Sequence, residues 1–229
     1  MNIRRSIVAA CIVGLAHALS PSGSGDDGGG PKQKPAPAKV KEEGLRRELL
    51  ERTREEQKLR LKWIELEAKT DADPQSIKKE IDLTLTKLTE IDARNRARMK
   101  EIVDRYGWPG KSVVGGDGSN AAWLLVQHAD PDHPFQKRCV GLLAKAVKKG
   151  DASPQHLAYL TDRVRVAENA KQVYGTQFHE VDGKMQPFPI DDESNVDKRR
   201  KEVGLPTLAE YRKTIEATYK SQAKTDLRK

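Results

Sequence analysis

Two cysteines in 229 residues exclude a disulfide-stapled scaffold. No apolar run approaches the roughly 20 residues of a membrane span, which excludes a multi-spanning membrane protein. Neither a Walker loop nor a dinucleotide fingerprint occurs, so no cofactor is expected. There is no Gly-x-Ser-x-Gly elbow, and Cys139 lacks the flanking signature of a nucleophile. Internal repeats are absent too. Aromatic residues amount to 5% of the chain and hydrophobic residues to 36%, so the core must be confined to part of it.

Charge is what the chain has in abundance. Asp, Glu, Lys and Arg make up 33%, above the roughly 25% of ordinary globular proteins. Lys and Arg exceed Asp and Glu by 42 to 34, a net charge of +8. The signs are interleaved along two long segments, as on solvated helix faces, and no nucleic-acid partner is expected.

Arg4 and Arg5 precede a small or apolar stretch from Ser6 to Leu15, and Ala16-His17-Ala18 follows. This is the pattern of a secretory signal over residues 1–18. It implies an exported, periplasmic or extracellular protein with no stable membrane span after cleavage. Residues 19–40 read as a disordered tether, with five glycines and four prolines between Ser20 and Lys39. Cys139, flanked by Val140, Leu142 and Leu143, reads as a buried structural thiol.

The fold class is mainly α. Residues 41–106 predict an antiparallel helical hairpin: Leu45, Leu49, Leu59, Trp63 and Leu66 mark one helix face, and Ile77, Ile81, Leu85, Leu88, Ile91, Met99 and Ile102 the other. Asp73-Pro74 opens the second helix and Gly107 closes it. Of three Trp, five Tyr and three Phe, all but Trp63 and Tyr219 lie between Tyr106 and Tyr211. A compact helical core is therefore expected over 107–223, with helices over 120–129, 135–149 and 154–167. A small β-hairpin near 172–188 turns at Asp182-Gly183, with its first strand at 173–178. Thr207 to Glu210 forms a capping box for the last helix. Residues 41–223 read as one domain.

Gly115-Gly116-Asp117-Gly118 before the helix at Asn120 reads as a connecting loop, or as a backbone cradle for an anion. Gln127-His128-Ala129-Asp130 is a polar group ending a strongly apolar segment. His128 is the candidate proton-transfer residue and Asp162 the carboxylate that orients it. The plainer alternative makes His128 a helix-end cap and Asp130 the cap of the next segment. His128, Asp130, Asp132 and His133 match no zinc spacing, and no metal is expected. Arg163 can clamp a carboxylate or phosphate, or form a structural ion pair with Asp162. Gln127, Tyr174 and Gln177 complete the ligand-binding set, with Tyr174 equally at home in the core.

Several motifs stand in fixed order: Gly107-Trp108-Pro109, Ala121 to Asp130, Leu157 to Val164, Tyr174 to Gln177, Arg199-Arg200 and Gly204-Leu205. Together they resemble a bacterial domain family of unknown function, over about Leu45 to Tyr211. The resemblance carries no activity. It implies that His128, Asp162, Arg163, Tyr174 and Gln177, each inside a recurring motif, share a site. It also adds Glu55, Glu56 and Arg60, beside Gln57, as further candidates. The expected function is binding of a small polar or anionic ligand in a cleft, with hydrolysis or a lyase step by His128 if it is an enzyme. The rival is a non-catalytic envelope interaction or scaffold protein acting through the charged hairpin.

Overall fold

The computed structural model describes residues 40–69 and 73–226. The expected signal peptide and nearly all of the tether lie outside them. Among the described residues, seven α-helices and one two-stranded antiparallel sheet follow one another: α1 (Glu43–Glu67), α2 (Pro74–Tyr106), α3 (Lys111–Gln127), α4 (His133–Lys148), α5 (Pro154–Ala167), β1 (Phe178–Val181), β2 (Lys184–Pro187), a 3₁₀ turn (Glu193–Asn195), α6 (Val196–Glu202) and α7 (Leu208–Asp226). No helix among the described residues is long and apolar enough to cross a membrane.

Helices α1 and α2 form the expected antiparallel hairpin. Asp73 accepts a hydrogen bond from the Ser76 N–H at 2.8 Å, with Pro74 opening the helix. Ion pairs run antiparallel along the hairpin: Arg98 to Glu48, Arg94 to Glu55 and Arg60 to Asp92. The exposed pairs contribute at most about 1 kcal/mol each. Buried apolar side chains do most of the joining. At the far end Trp63, Leu66, Ile81 and Leu88 close a small core of their own. Nearer the rest of the chain, Leu45, Leu49, Met99, Ile102 and Val103 enter the main core with α3, α4 and α5.

Helix α3 corrects one expectation. The expected loop shrinks to one residue: helical backbone begins at Lys111, breaks at Gly115 (φ 75°, ψ 171°) and resumes as a second helical segment through Gly116-Asp117-Gly118. A Cβ on Gly118 would meet Val114 Cβ at 2.9 Å and Arg46 Cγ at 3.3 Å. The run is thus where α1 packs closely on α3, fastened by Arg46 to Asp117 at 2.8 and 2.6 Å. Asp151 satisfies the start of α3, taking the Ser112 N–H at 2.6 Å.

The second correction concerns 173–177, expected as strand. β1 begins only at Phe178, and the hairpin pairs Phe178 with Pro187 through Val181 with Lys184 about the Asp182-Gly183 turn. The preceding residues bend instead around buried Asp162, which is 0% exposed. Its carboxylate accepts from the backbone N–H groups of Val173 (2.7 Å), Tyr174 (3.1 Å) and Thr176 (2.9 Å), and from the Thr176 hydroxyl (3.0 Å). Arg200, equally buried, donates to the carbonyls of Tyr174 and Pro206, each at 2.6 Å, and lies 4.9 Å from the Tyr211 ring centre. Gln172 reaches across the loop, donating to the Gln177 and Phe188 carbonyls and accepting the Gln177 N–H. With a carboxylate collecting its amides and a guanidinium its carbonyls, the segment keeps a single backbone bond to the facing chain, from the Phe188 N–H to the Gln177 carbonyl at 3.1 Å.

Gly175 is the tight point of that loop, at φ 67°. A Cβ there would stand 2.7 Å from Ile190 Cδ1 and 3.1 Å from Leu208 Cδ1. Gly175→Ala combines a left-handed backbone with overpacking, and should cost about 2–4 kcal/mol in urea denaturation. A change under about 0.5 kcal/mol would show that the loop is not held as described.

The last helix conforms to expectation. Thr207 and Glu210 exchange side-chain and backbone bonds in a capping box. Cys139 is fully buried, and burial pushes its thiol up to about 12, so it is an inert packing residue.

Candidate functional site

Apolar stripes position the site. On α1 the buried residues are Leu45, Leu49, Glu56, Arg60, Trp63 and Leu66, so two charged side chains occupy positions of the inward face. On α2, Asp92 lies one residue past buried Ile91. The end of α3 brings His128 and Asp130, α4 brings Gln136, α5 brings Arg163, and the Asp162 loop brings Gln177.

These side chains form two bonded groups, Glu56–Arg60–Asp92 with His128 and Asp130–Arg163–Gln177 with Gln136, close enough for His128 to feel the charge of Arg163 and Asp92 that of Asp130. Arg60 donates from Nε to Glu56 Oε1 at 2.7 Å and from its terminal nitrogen to both Asp92 oxygens at 2.9 and 3.0 Å. Glu56 Oε1 lies against His128 Nδ1. Arg163 grips Asp130 with two nitrogens, Nε at 2.6 Å, and its third reaches Gln177 Oε1 at 3.4 Å. Gln136 Nε2 donates to the carbonyls of Val126 and Gln127 and to Asp130 Oδ1, at 3.1 to 3.2 Å. Glu56 is 0% exposed and His128 5%. The Asp92 and Asp130 side chains, at 19% and 47%, are where the network meets solvent.

The three carboxylates and the histidine are displaced from their ordinary ranges. Burial lowers the His128 pKa, and the cations Arg60 and Arg163 lower it further, against the pull of Glu56. The imidazole is therefore neutral at pH 7. Contact with the Glu56 carboxylate places its proton on Nδ1, and Nε2 keeps the lone pair. Burial opposes ionisation of Glu56, but His128 and Arg60 together hold its pKa below the usual value. Asp92 goes the other way: burial, with Glu56 and Asp130 adding to it, raises its pKa to about 7 despite Arg60. Arg163 keeps the Asp130 pKa low against its burial.

The residues named from sequence divide clearly. His128, Arg163, Gln177 and Asp130 meet in the network, and Gln127 is buried beside them with its carbonyl bound by Gln136. Asp162 does not orient His128. Its carboxylate is engaged by the 173–176 loop, and the carboxylate at His128 is Glu56. Nor does Asp162 pair with Arg163, which holds Asp130 instead. Tyr174 enters through its backbone, bonded to Asp162 and Arg200, while its ring packs on the main core. His128 is the C-terminal cap of α3, its N–H on the Leu124 carbonyl at 3.1 Å. The cap of α4 is Asp132, not Asp130. Sequence reasoning missed Asp92 and Gln136. Among the described residues, no group of three or more His, Cys, Asp or Glu is arranged to hold a metal ion.

A cavity of about 550 Å³ between β2 and α7, lined by Lys184, Met185, Pro187, Arg212, Glu216 and Tyr219 among others, contains none of these residues. The perturbed ionisable groups, not that cavity, mark the candidate site.

The fold and the network define a helical domain with a buried polar site reaching solvent at two carboxylates. The chain belongs to a family of unknown function, DUF6624, whose model matches residues 43–224. No curated protein and no solved structure matches it.

Proposed function

We propose that this is an exported protein that binds a small polar ligand at the Glu56–His128–Arg163 network, with His128 as its proton-transfer group. One observation carries the reading: five charged residues and a histidine, drawn from α1, α2, α5 and the end of α3, gather at one place that runs from fully buried Glu56 out to half-exposed Asp130. Burying ion pairs costs several kcal/mol per charge in desolvation, and apolar replacements are often as stable. A cluster this large therefore needs a reason beyond stability, and its displaced ionisations are those of a working site. Export rests on the secretory pattern of residues 1–18.

The chemistry available is general base catalysis. Glu56 fixes the imidazole so that Nε2 is bare, and the flanking guanidinium groups keep it neutral and ready to accept a proton. Asp92, with its raised pKa, can return a proton near pH 7. Hydrolysis or elimination on a small polar substrate fits these parts. The rival, a scaffold acting through the charged hairpin, makes the network a rivet between α1 and the core.

The test is a ligand screen on the full chain, following thermal stability with small amines, carboxylates, phosphates, amino acids and sugars at millimolar concentration. At least one class should raise Tm in the wild type and fail to do so in His128→Gln, which keeps the ring's volume roughly constant. Silence of the whole panel, or an unchanged response in folded His128→Gln, would overturn the reading in favour of the rivet.

A further inference from the structure

The hydrogen-bond capacity of the network shows which kind of ligand it lacks. Both arginines are committed: Arg60 to Glu56 and Asp92, Arg163 to Asp130 and Gln177. Gln136 has its amide nitrogen on three acceptors, which orients its oxygen away from them. Among the side chains that bond or touch one another here, the buried atoms without a hydrogen-bond partner, other than His128 Nδ1 on Glu56, are Glu56 Oε2, His128 Nε2 and Gln136 Oε1. Gln127 Oε1, beside His128, is in the same state. All four are acceptors, given the proton on Nδ1.

Charge points the same way. Glu56 and Asp130 balance the two guanidinium groups, and ionisation of Asp92 near pH 7 adds one uncompensated negative charge beside a neutral His128. Buried acceptors beside an unmatched negative charge are complementary to a donor carrying positive charge. Free donors occur nearby on Gln57 Nε2 and Asn95 Nδ2, but neither residue bonds to the Glu56–His128 pair among the described contacts.

We infer that the ligand of this site presents a cationic hydrogen-bond donor, a protonated amine or amidine, to Glu56 Oε2 and His128 Nε2. This rests on the reading that the network is a ligand site, and replaces the expected anion clamp at Arg163. Asp92 and Asp130 form the rim through which such a group enters, and their charge favours a cation on approach.

The experiment is titration of the full chain with methylammonium, glycinamide and guanidinium at low millimolar concentration, and in parallel with acetate and inorganic phosphate. The readout is the His128 ring signals by NMR. The inference expects saturable shifts from the cations alone, weakened at least fivefold in Asp130→Asn, which keeps the shape of the rim and removes its charge. Glu56→Gln, where it folds, should abolish them. Saturable binding of acetate or phosphate without the cations would overturn the donor assignment and leave the ligand site standing. No binding by either group would remove both. Cation binding unchanged in Asp130→Asn would place it elsewhere on the surface, and so contradict the inference.

Discussion

Asp162→Ala should destabilise the fold by about 3–5 kcal/mol in denaturant unfolding, the largest effect expected of any single substitution here. The carboxylate collects three backbone N–H groups and one hydroxyl in a fully buried setting. Each bond to a charged acceptor is worth about 1.5–3 kcal/mol, and alanine strands every one of those donors at once. Burial pushes the Asp162 pKa up, and the N–H groups pull against it because they need the ionised form. The loss should be felt at Gln177 and Thr176, which sit on the same loop, so the Arg163 to Gln177 contact loosens with it. Asp162→Asn keeps one acceptor oxygen and should recover part of the stability. Equal and small losses in both variants would mean that the loop is held by Arg200 and Gln172 alone.

The second large effect is a pH dependence carried by Asp92. Its folded pKa of about 7 stands above the ordinary 3.8. Between about pH 4 and 7 the native state holds a proton that the unfolded chain has released. Its contribution to stability is therefore full below pH 4, falls as pH rises through this window, and is gone above pH 7. At about 1.4 kcal/mol per pH unit the whole change is on the order of 3–4 kcal/mol. His128, with its lowered pKa, acts in the opposite sense: it contributes stability above its unfolded value near 6.5 that is lost as the solution becomes more acid. The two slopes partly cancel in the wild type, so the informative quantity is the stability of Asp92→Asn minus that of the wild type. It should shift in favour of the variant by that amount between pH 4 and pH 8. A difference independent of pH would show Asp92 to be ionised throughout.

Helix boundaries were legible where the chain marks them with local chemistry. Asp73-Pro74 and the Thr207–Glu210 box work through bonds within a few residues and operate as expected, and Ser153-Pro154 opens α5 in the same way. The glycine run at 115–118 misled because glycine usually interrupts helices. Here the break is confined to Gly115, and Gly116 to Gly118 are helical, with Gly118 packed close to Val114 and Arg46. The 173–177 segment read as strand because its pattern suits one, but a carboxylate 11 to 14 residues away in α5 took its amides. Such long-range capture leaves no periodicity to detect.

The site was half visible. His128, Arg163 and Gln177 stood out as polar residues beside apolar runs. Glu56 and Arg60 carried a signal that the stripe itself contains: continue Leu45 and Leu49 by helical spacing to Trp63, and two charged residues occupy inward positions. Reading the stripe for its exceptions finds both without the family resemblance that named them. Asp92 had no such mark, since it lies at the edge of the α2 stripe and is defined only by what Arg60 does. The pairing of Asp130 with Arg163, in place of Asp162, depends on how α3 ends against α5. No spacing in one chain encodes that.

The most direct test of the account is the protonation of His128, read from long-range ¹H–¹⁵N spectra of the imidazole between pH 5 and 8. The account requires a neutral ring with its proton on Nδ1 and a bare Nε2 at pH 7, staying neutral well below the ordinary histidine range. An imidazolium at pH 7, or a proton on Nε2 with Nδ1 bare, would contradict it. In the first case His128 is the cation of a structural ion pair with Glu56. In the second it has no base to offer a ligand.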